Sequence, residues 1–277
     1  MSILSSTQTG KAGMDKLLAE HGLDPKYTTI NADGSIDYLG NIVVCMSLNK
    51  TAIRVDNVTF ISIDMPFKIH KLSGSYQCYN LGVSSLTMMN VPEIITGDFN
   101  CGSNNLTNLD GGPKIVGGSY YCHNNNLETL EHGPELVGKA FNCNDNMLTT
   151  LEGLPLRRCI AVHCDNCRLH TLEGLPECEI IFCEHNGLIS LKGCKEGVTN
   201  INCICNNIKS LAHLPSTINS IICSYNCIMS FKHVPKTIKT IMCNHNYYTI
   251  SIKDTRKYVS AQTNIISDSI SNRTTSY

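Results

Sequence analysis

The fold class this sequence predicts is an α/β-type solenoid, mostly β, built from short stacked units. Three observations predict it. Cysteines recur at Cys78, Cys101, Cys122, Cys143, Cys164, Cys183, Cys203, Cys223 and Cys243, and from Cys101 onward the spacings are 21, 21, 21, 19, 20, 20 and 20 residues. A period of this size marks repeated structural units. Three residues after the anchors stand Asn104, Asn125, Asn146, Cys167, Asn186, Asn206, Asn226 and Asn246. Proline then recurs at Pro92, Pro113, Pro134, Pro155, Pro176, Pro215 and Pro235.

Each position has a physical role. Two residues before the anchors lie Phe99, Tyr120, Phe141, Val162, Ile181, Ile201, Ile221 and Ile241. With the cysteine they form a period-two pair, so both face inward from a short strand. Strands of successive units then lie side by side as a parallel sheet. The asparagine follows where the strand turns, and its amide both accepts and donates, so a column of them satisfies buried backbone groups. Leu106, Leu127, Leu148, Leu169, Leu188, Ile208, Ile228 and Tyr248, then Leu109, Leu130, Leu151, Leu172, Leu191, Leu211 and Phe231, return the chain through the core. The prolines disfavour a helix interior, and units of 19–21 residues leave no room for a long helix, so the convex side is expected to be extended. The unit containing Lys195 lacks the proline and is expected to bulge there.

The ends differ from the units. Residues 11–22, KAGMDKLLAEHG, predict a short amphipathic helix with Met14, Leu17 and Leu18 on its apolar side and Gly22 as its stop. YTTINADGSIDYLGNIVV predicts a hairpin turning at Asp33-Gly34. Around VVCMSLNKTAI the pattern is degenerate, with Cys45 as a candidate anchor. The expected organisation is an N-terminal cap over residues 1–73, a solenoid over 74–250, and a C-terminal cap over 251–277 whose last residues, SISNRTTSY, are mobile. Open solenoid ends need such covers.

Composition bounds the function. The 277 residues carry a formal net charge of -1, with 16% charged and 42% hydrophobic side chains. That is a folded composition, without the basic excess of an electrostatic nucleic-acid binder. No apolar run approaches a membrane span, and the start, MSILSSTQTGKAGMDK, lacks the apolar core of an export signal. The sixteen cysteines therefore read as reduced, buried side chains of a reducing cytosol.

The stretches FNCGSNNL, CNDNML, CDNCRL and CSYNCI resemble the strand-and-turn pattern of the leucine-rich repeat family, with cysteine at the last leucine of the strand. The resemblance implies a curved solenoid with a concave parallel β-sheet. More narrowly, YTTINADGSIDYLGNIVV and GGPKIVGGSYYCHNNNLETLE look like leucine-rich proteins of tailed bacteriophages and prophages. HLPSTINSIICSYNCIMSF is similar to the short repeats of bacterial effectors, some of which carry a ubiquitin-ligase domain. About 27 residues follow the last repeat here, too few for such a domain.

Candidate binding residues flank the anchors: Tyr121, His123, His163, Phe182, Glu184, His185, Ile222, Tyr225, Met242 and His245. Aromatic and histidine side chains among short polar ones suit protein recognition, and Phe182, Ile222 and Met242 are expected to be exposed. Other chemistries fare less well. Cys164 and Cys167 with His163 have zinc-like spacing, but both thiols occupy inward repeat positions. Cys205 has no base fixed beside it, and a thiol nucleophile needs one. Lys192, Lys195, Lys209, Lys232, Lys236 and Lys239 belong to the solvated outer side of the units. The expectation is thus a non-enzymatic protein-binding module without a cofactor, metal, specific nucleic acid or membrane partner. The phage resemblance implies an effector acting in the bacterial cytoplasm on a host or defence protein. The alternatives are a virion structural or assembly component and an enzyme with an unrecognised thiol site.

Overall fold

A computed structural model describes residues 11–21, 23–46, 53–55, 58–62, 68–247 and 264–266. The mobile tail expected from SISNRTTSY, the Gly22 stop and Tyr248 lie outside the described residues. The chain divides into two compact units, residues 1–148 with 152–160, and residues 149–151 with 161–277.

The first unit opens with the expected helix, α1 (Lys11–Glu20), which buries Met14 and Leu18. Strands β1 (Thr28–Ile30) and β2 (Ile36–Leu39) pair antiparallel. Between them Gly34 adopts φ 81 and Asp33 accepts bonds from the Ser35 amide and hydroxyl at 3.0 and 2.6 Å, which closes the turn where the sequence placed it. Strand β3 (Asn41–Cys45) then joins a different sheet, beside β5 (Val58–Ser62), which β4 (Ile53–Val55) flanks antiparallel.

From there each repeat contributes two short strands to two sheets. The anchor sheet runs through β7 (Tyr76–Gln77), β9 (Phe99–Asn100), β11 (Tyr120–Tyr121) and β13 (Ala140–Asn142). The second sheet runs from β2 through β6 (Ile69–Ser73), β8 (Ile94–Ile95), β10 (Ile115–Val116) and β12 (Leu136–Val137). The extended convex side is therefore itself hydrogen-bonded in this unit. Register also replaces Cys45 as an anchor. Ile42 pairs with Tyr76 and Val43 with Gln77, so buried Val44 aligns with Cys78 and half-buried Cys45 lies one residue beyond.

The two stacks meet at a corner that tolerates no side chain. A Cβ on Gly97 would lie 2.7 Å from the Gly74 carbonyl, and one on Gly118 would lie 2.8 Å from the Gly97 carbonyl. Behind the anchor sheet, Tyr76, Phe99, Tyr120 and Phe141 stack with centroids 6.1, 4.9 and 5.5 Å apart.

The second unit carries one strand per repeat: β14 (Ala161–His163), β15 (Ile180–Phe182), β16 (Asn200–Asn202), β17 (Ser220–Ile222), β18 (Thr240–Met242) and β19 (Asn264–Ile266). All pair in parallel register. Aliphatic Val162, Ile181, Ile201, Ile221 and Ile241 fill the positions that aromatics hold in the first unit. The repeat without proline does not bulge. Val198 donates to the Lys195 carbonyl at 3.4 Å, as Ile218 donates to that of Pro215 at 3.3 Å, so lysine supplies the same turn acceptor.

Candidate functional site

The anchor position and the residue three beyond it build the scaffold on which the surface side chains stand. Asn125 shows the pattern. Its Oδ1 accepts the Leu106 amide of the preceding repeat at 3.0 Å, while its Nδ2 donates to the carbonyls of Cys101 and Cys122, both at 3.1 Å. Asn104, Asn146, Asn186, Asn206, Asn226 and Asn246 repeat it. At Cys167, Sγ instead donates to the Asp165 carbonyl at 3.6 Å.

The anchor thiols have a polar contact of their own. Sγ of Cys101, Cys122, Cys183 and Cys203 donates at 3.4 Å, and that of Cys164 at 3.3 Å, to the carbonyl before the next anchor. The same carbonyls accept the cysteine amides. Burial holds the thiols of Cys101, Cys164, Cys183 and Cys203 well above their usual pKa, so these four stay protonated and poorly nucleophilic.

Between anchor and asparagine the backbone turns as expected, but through a left-handed residue that the repeat pattern did not announce. Asn80, Ser103, Asn124, Asp145, Asn166, His185, Cys205, Tyr225 and His245 all adopt φ between 50 and 56. Asparagine, aspartate and histidine enter this left-handed region more readily than other side chains, which is the sequence signal for it. Tyr225 gives no such signal, yet the turn aims its side chain as it aims those of His185 and His245.

In the first unit, Tyr121 and His123 project beside one another, edge to face with ring centres 6.3 Å apart. The imidazole of His123 lies over Gly102, where a Cβ would come within 2.5 Å of it. The other eight candidates stand in the second unit. His163 and Phe182 stack nearly parallel at 4.4 Å. Phe182, Asn202, Ile222 and Met242 occupy one row across β15 to β18. Because each row neighbour covers part of the next, Phe182, Ile222 and Met242 are half-buried and not exposed as expected. Tyr225, 54% exposed, stacks on His245 at 4.3 Å. His185 is exposed and donates its amide to the Ile204 carbonyl at 3.0 Å.

Glu184 sits between these aromatic pairs in sequence and makes the site's polar contacts. Asp165 Oδ1 accepts the Glu184 amide at 2.7 Å, and Asn202 Nδ2 donates to Glu184 Oε1. Burial raises the Glu184 pKa, the Asp165 charge raises it further, and His185 opposes both. Burial also lowers the pKa of His163, against the pull of Asp165. Asn202 occupies the same repeat offset as Phe182, so the period could have revealed it as a site residue.

The fold is a mostly β, parallel solenoid of short leucine-rich repeats. Among solved structures, the leucine-rich repeat domain of a Shigella effector is similar over 70% of this chain and 80% of its own, with 18% identity and a TM-score of 0.46. YopM from Yersinia enterocolitica is similar over 68% of this chain and 44% of its own, with 18% identity and a TM-score of 0.41. No protein-family model matches the chain, and no curated protein sequence matches it.

Proposed function

We propose that the chain is a non-enzymatic module that binds a protein through the anchor-strand face. The observation that carries this reading is the row of half-buried Phe182, Ile222 and Met242, together with the His163–Phe182 and Tyr225–His245 stacks in the same repeats. Aromatic side chains already held against neighbours lose little freedom on binding, which suits them to anchor an interface. The finer reading is a phage-encoded effector that acts in the bacterial cytoplasm and engages or inhibits a host or defence protein. The likeness of residues 27–44 and of the GGPKIVGG repeats to phage leucine-rich proteins supports that origin.

Affinity capture from infected bacteria tests it, together with a protein inventory of mature particles. The expected result is capture of one host protein by the wild type, its loss with the combined Tyr121→Ala, Phe182→Ala and Tyr225→Ala variant, and absence of the chain from virions. Stable incorporation into virions supports a structural or assembly role instead. Equal capture by a folded triple variant moves the interface elsewhere.

A further inference from the structure

From Ile189 onward, the outer side of the second unit is both apolar and basic. After each asparagine turn the chain points inward at Leu188, Ile208 and Ile228, and again at Leu191, Leu211 and Phe231, all of them buried. The positions between and after these point outward and form columns. The Lys209 amide donates to the Ile189 carbonyl at 3.3 Å, and the Met229 amide to the Lys209 carbonyl at 3.4 Å, so these three side chains stand in line on successive repeats. Ile189 and Met229 are each 60% exposed, with exposed Lys209 between them. Three residues farther on, Lys192 and Lys232 are exposed, and the hydroxyls of Ser190 and Ser230 accept their amides. Lys192 pairs with Glu173 at 2.7 Å. Lys209 and Lys232 have no carboxylate partner among the described residues, because residues 197–247 contain no aspartate or glutamate. In the first unit the same two offsets hold Thr107, Glu128, Asp110 and Glu131.

We propose that this outer flank of the second unit rests on an anionic lipid surface. Ile189 and Met229 enter the boundary between headgroups and acyl chains, and Lys209 and Lys232 reach the lipid phosphates while their stems lie along the apolar neighbours. Exposed Lys236 and Lys239 belong to the same carboxylate-free stretch and add attraction to the negative surface. The alternation of aliphatic side chains with lysine decides the occupant. The centre of a protein interface is depleted of lysine and favours aromatics and arginine. Nucleic acid binds by stacking on aromatics and arginine, and the two offsets carry neither between Ile189 and Lys232. A second copy seated on the same flank would set lysine against lysine. A lipid surface supplies negative charge and an apolar layer together. The anchor-strand row of Phe182, Ile222 and Met242 is a separate surface, so contact with lipid leaves it available to a protein partner.

Co-sedimentation of the full chain with vesicles tests the assignment. Vesicles of phosphatidylcholine containing about 30% phosphatidylglycerol are compared with phosphatidylcholine alone at about 0.15 M salt. The expected result is sedimentation with the anionic vesicles and not with the neutral ones. Lys209→Gln and Lys232→Gln should each weaken partitioning about fivefold. The combined Ile189→Ser and Met229→Ser variant should weaken it at least about tenfold. All four side chains are exposed, and a thermal melt checks that the variants remain folded. Phe182→Ala and Tyr225→Ala should leave partitioning unchanged, which separates this flank from the protein-binding face. Absence of sedimentation with anionic vesicles overturns the proposal, as does equal sedimentation with neutral ones. Undiminished binding by the serine variant also overturns it, since charge alone would then hold the protein. A parallel titration with a labelled single-stranded RNA gives the remaining outcome. RNA binding as tight as vesicle binding, and unaffected in the serine variant, would assign the lysines to nucleic acid instead.

Discussion

Asn146 Oδ1 accepts the backbone amide of Leu127 at 2.9 Å, and the same side chain donates to the carbonyls of Cys122 and Cys143 at 3.1 and 3.0 Å. One amide group thus serves three buried backbone groups of two successive repeats. Leucine serves none of them. Asn146→Leu should therefore lower stability by at least about 1–3 kcal/mol, the cost of leaving buried polar groups unpaired. Asn146→Cys should cost less, because Cys167 already stands at this offset and bonds a local carbonyl. Urea unfolding of both variants gives the order. Equal midpoints for wild type and Asn146→Leu would show that water, not the asparagine, satisfies the turn.

The anchor column sets a size limit. Cys183 lies between Cys164 and Cys203 in adjacent repeats and is fully buried, and its thiol donates to the Asn202 carbonyl at 3.4 Å. Neighbouring strands are about 4.8 Å apart, so side chains here touch those above and below. Cys183→Ala leaves a small void and removes a weak donor, at a cost of about 1 kcal/mol. Cys183→Ser keeps a donor aimed at the same carbonyl and should cost a similar amount. Cys183→Leu overfills the column and should cost about 1–3 kcal/mol. Denaturant midpoints that rank leucine as the most stable of the three would show that the column has spare volume.

The parts of the fold that were legible depend on one residue type at one offset. Cysteine marks the anchor strands from Cys78 to Cys243, and asparagine marks their turns except at Cys167, because each repeat makes the same contacts to its neighbours. The second sheet was not marked by arc length. Pro113 to Cys122 and Pro155 to Cys164 both span nine residues, yet only the first of these arcs carries a strand of the second sheet, Ile115–Val116. Those two-residue strands have too little length to show a period. The surface site was legible in part. Alternation about the anchors places Phe182 and Glu184 on the outer face, whereas the left-handed backbone at Tyr225 leaves no mark in that residue type.

The glycine corner of the first unit should be intolerant in a specific way. A Cβ at Gly97 would lie 2.4 Å from Ser75 Oγ and 2.7 Å from the Gly74 carbonyl. Ser75 Oγ accepts the Asp98 amide at 2.9 Å, and the Gly74 backbone is held more firmly, since its carbonyl accepts the Gly97 amide at 2.8 Å. Gly97→Ala should therefore force the sheets apart and cost about 1–3 kcal/mol. Combining it with Ser75→Ala should recover little. Full recovery in the double variant, read by thermal melting, would place the conflict on the side chain alone.

Thiol chemistry should separate the cysteines by depth. Cys45, Cys205 and Cys227 are half-exposed, and Cys101, Cys122, Cys183 and Cys203 are fully buried. Iodoacetamide at pH 8 should label the first group in the native protein and the second only in denaturant. Cys194 is informative because it too is half-exposed, yet burial of its sulfur and the nearby Glu196 push its pKa up to about 12. Its thiolate is scarce at pH 8, so it should label more slowly than Cys205 and accelerate as pH rises toward that value. Mass spectrometry of digests resolves the sites. Native labelling of Cys183 at the rate of Cys205 would contradict the buried anchor column.

Glu184 should make the folded protein more sensitive to alkali than to acid at this site. Its folded pKa lies above the unfolded carboxylate value, first through burial and then through Asp165. A carboxyl shifted in that direction binds its proton more tightly when folded. Its contribution to stability is therefore fully present below about pH 4, near the unfolded pKa, and is lost as pH rises through the folded pKa. Glu184→Gln keeps an acceptor for Asn202 and carries no charge. It should unfold at a higher urea concentration than wild type at pH 7, and the gap should close as the pH approaches 4. The gain is modest because the side chain is still partly open to solvent. A variant equally stable to wild type at pH 7 would mean that neither burial nor Asp165 disfavours the Glu184 charge in the folded protein.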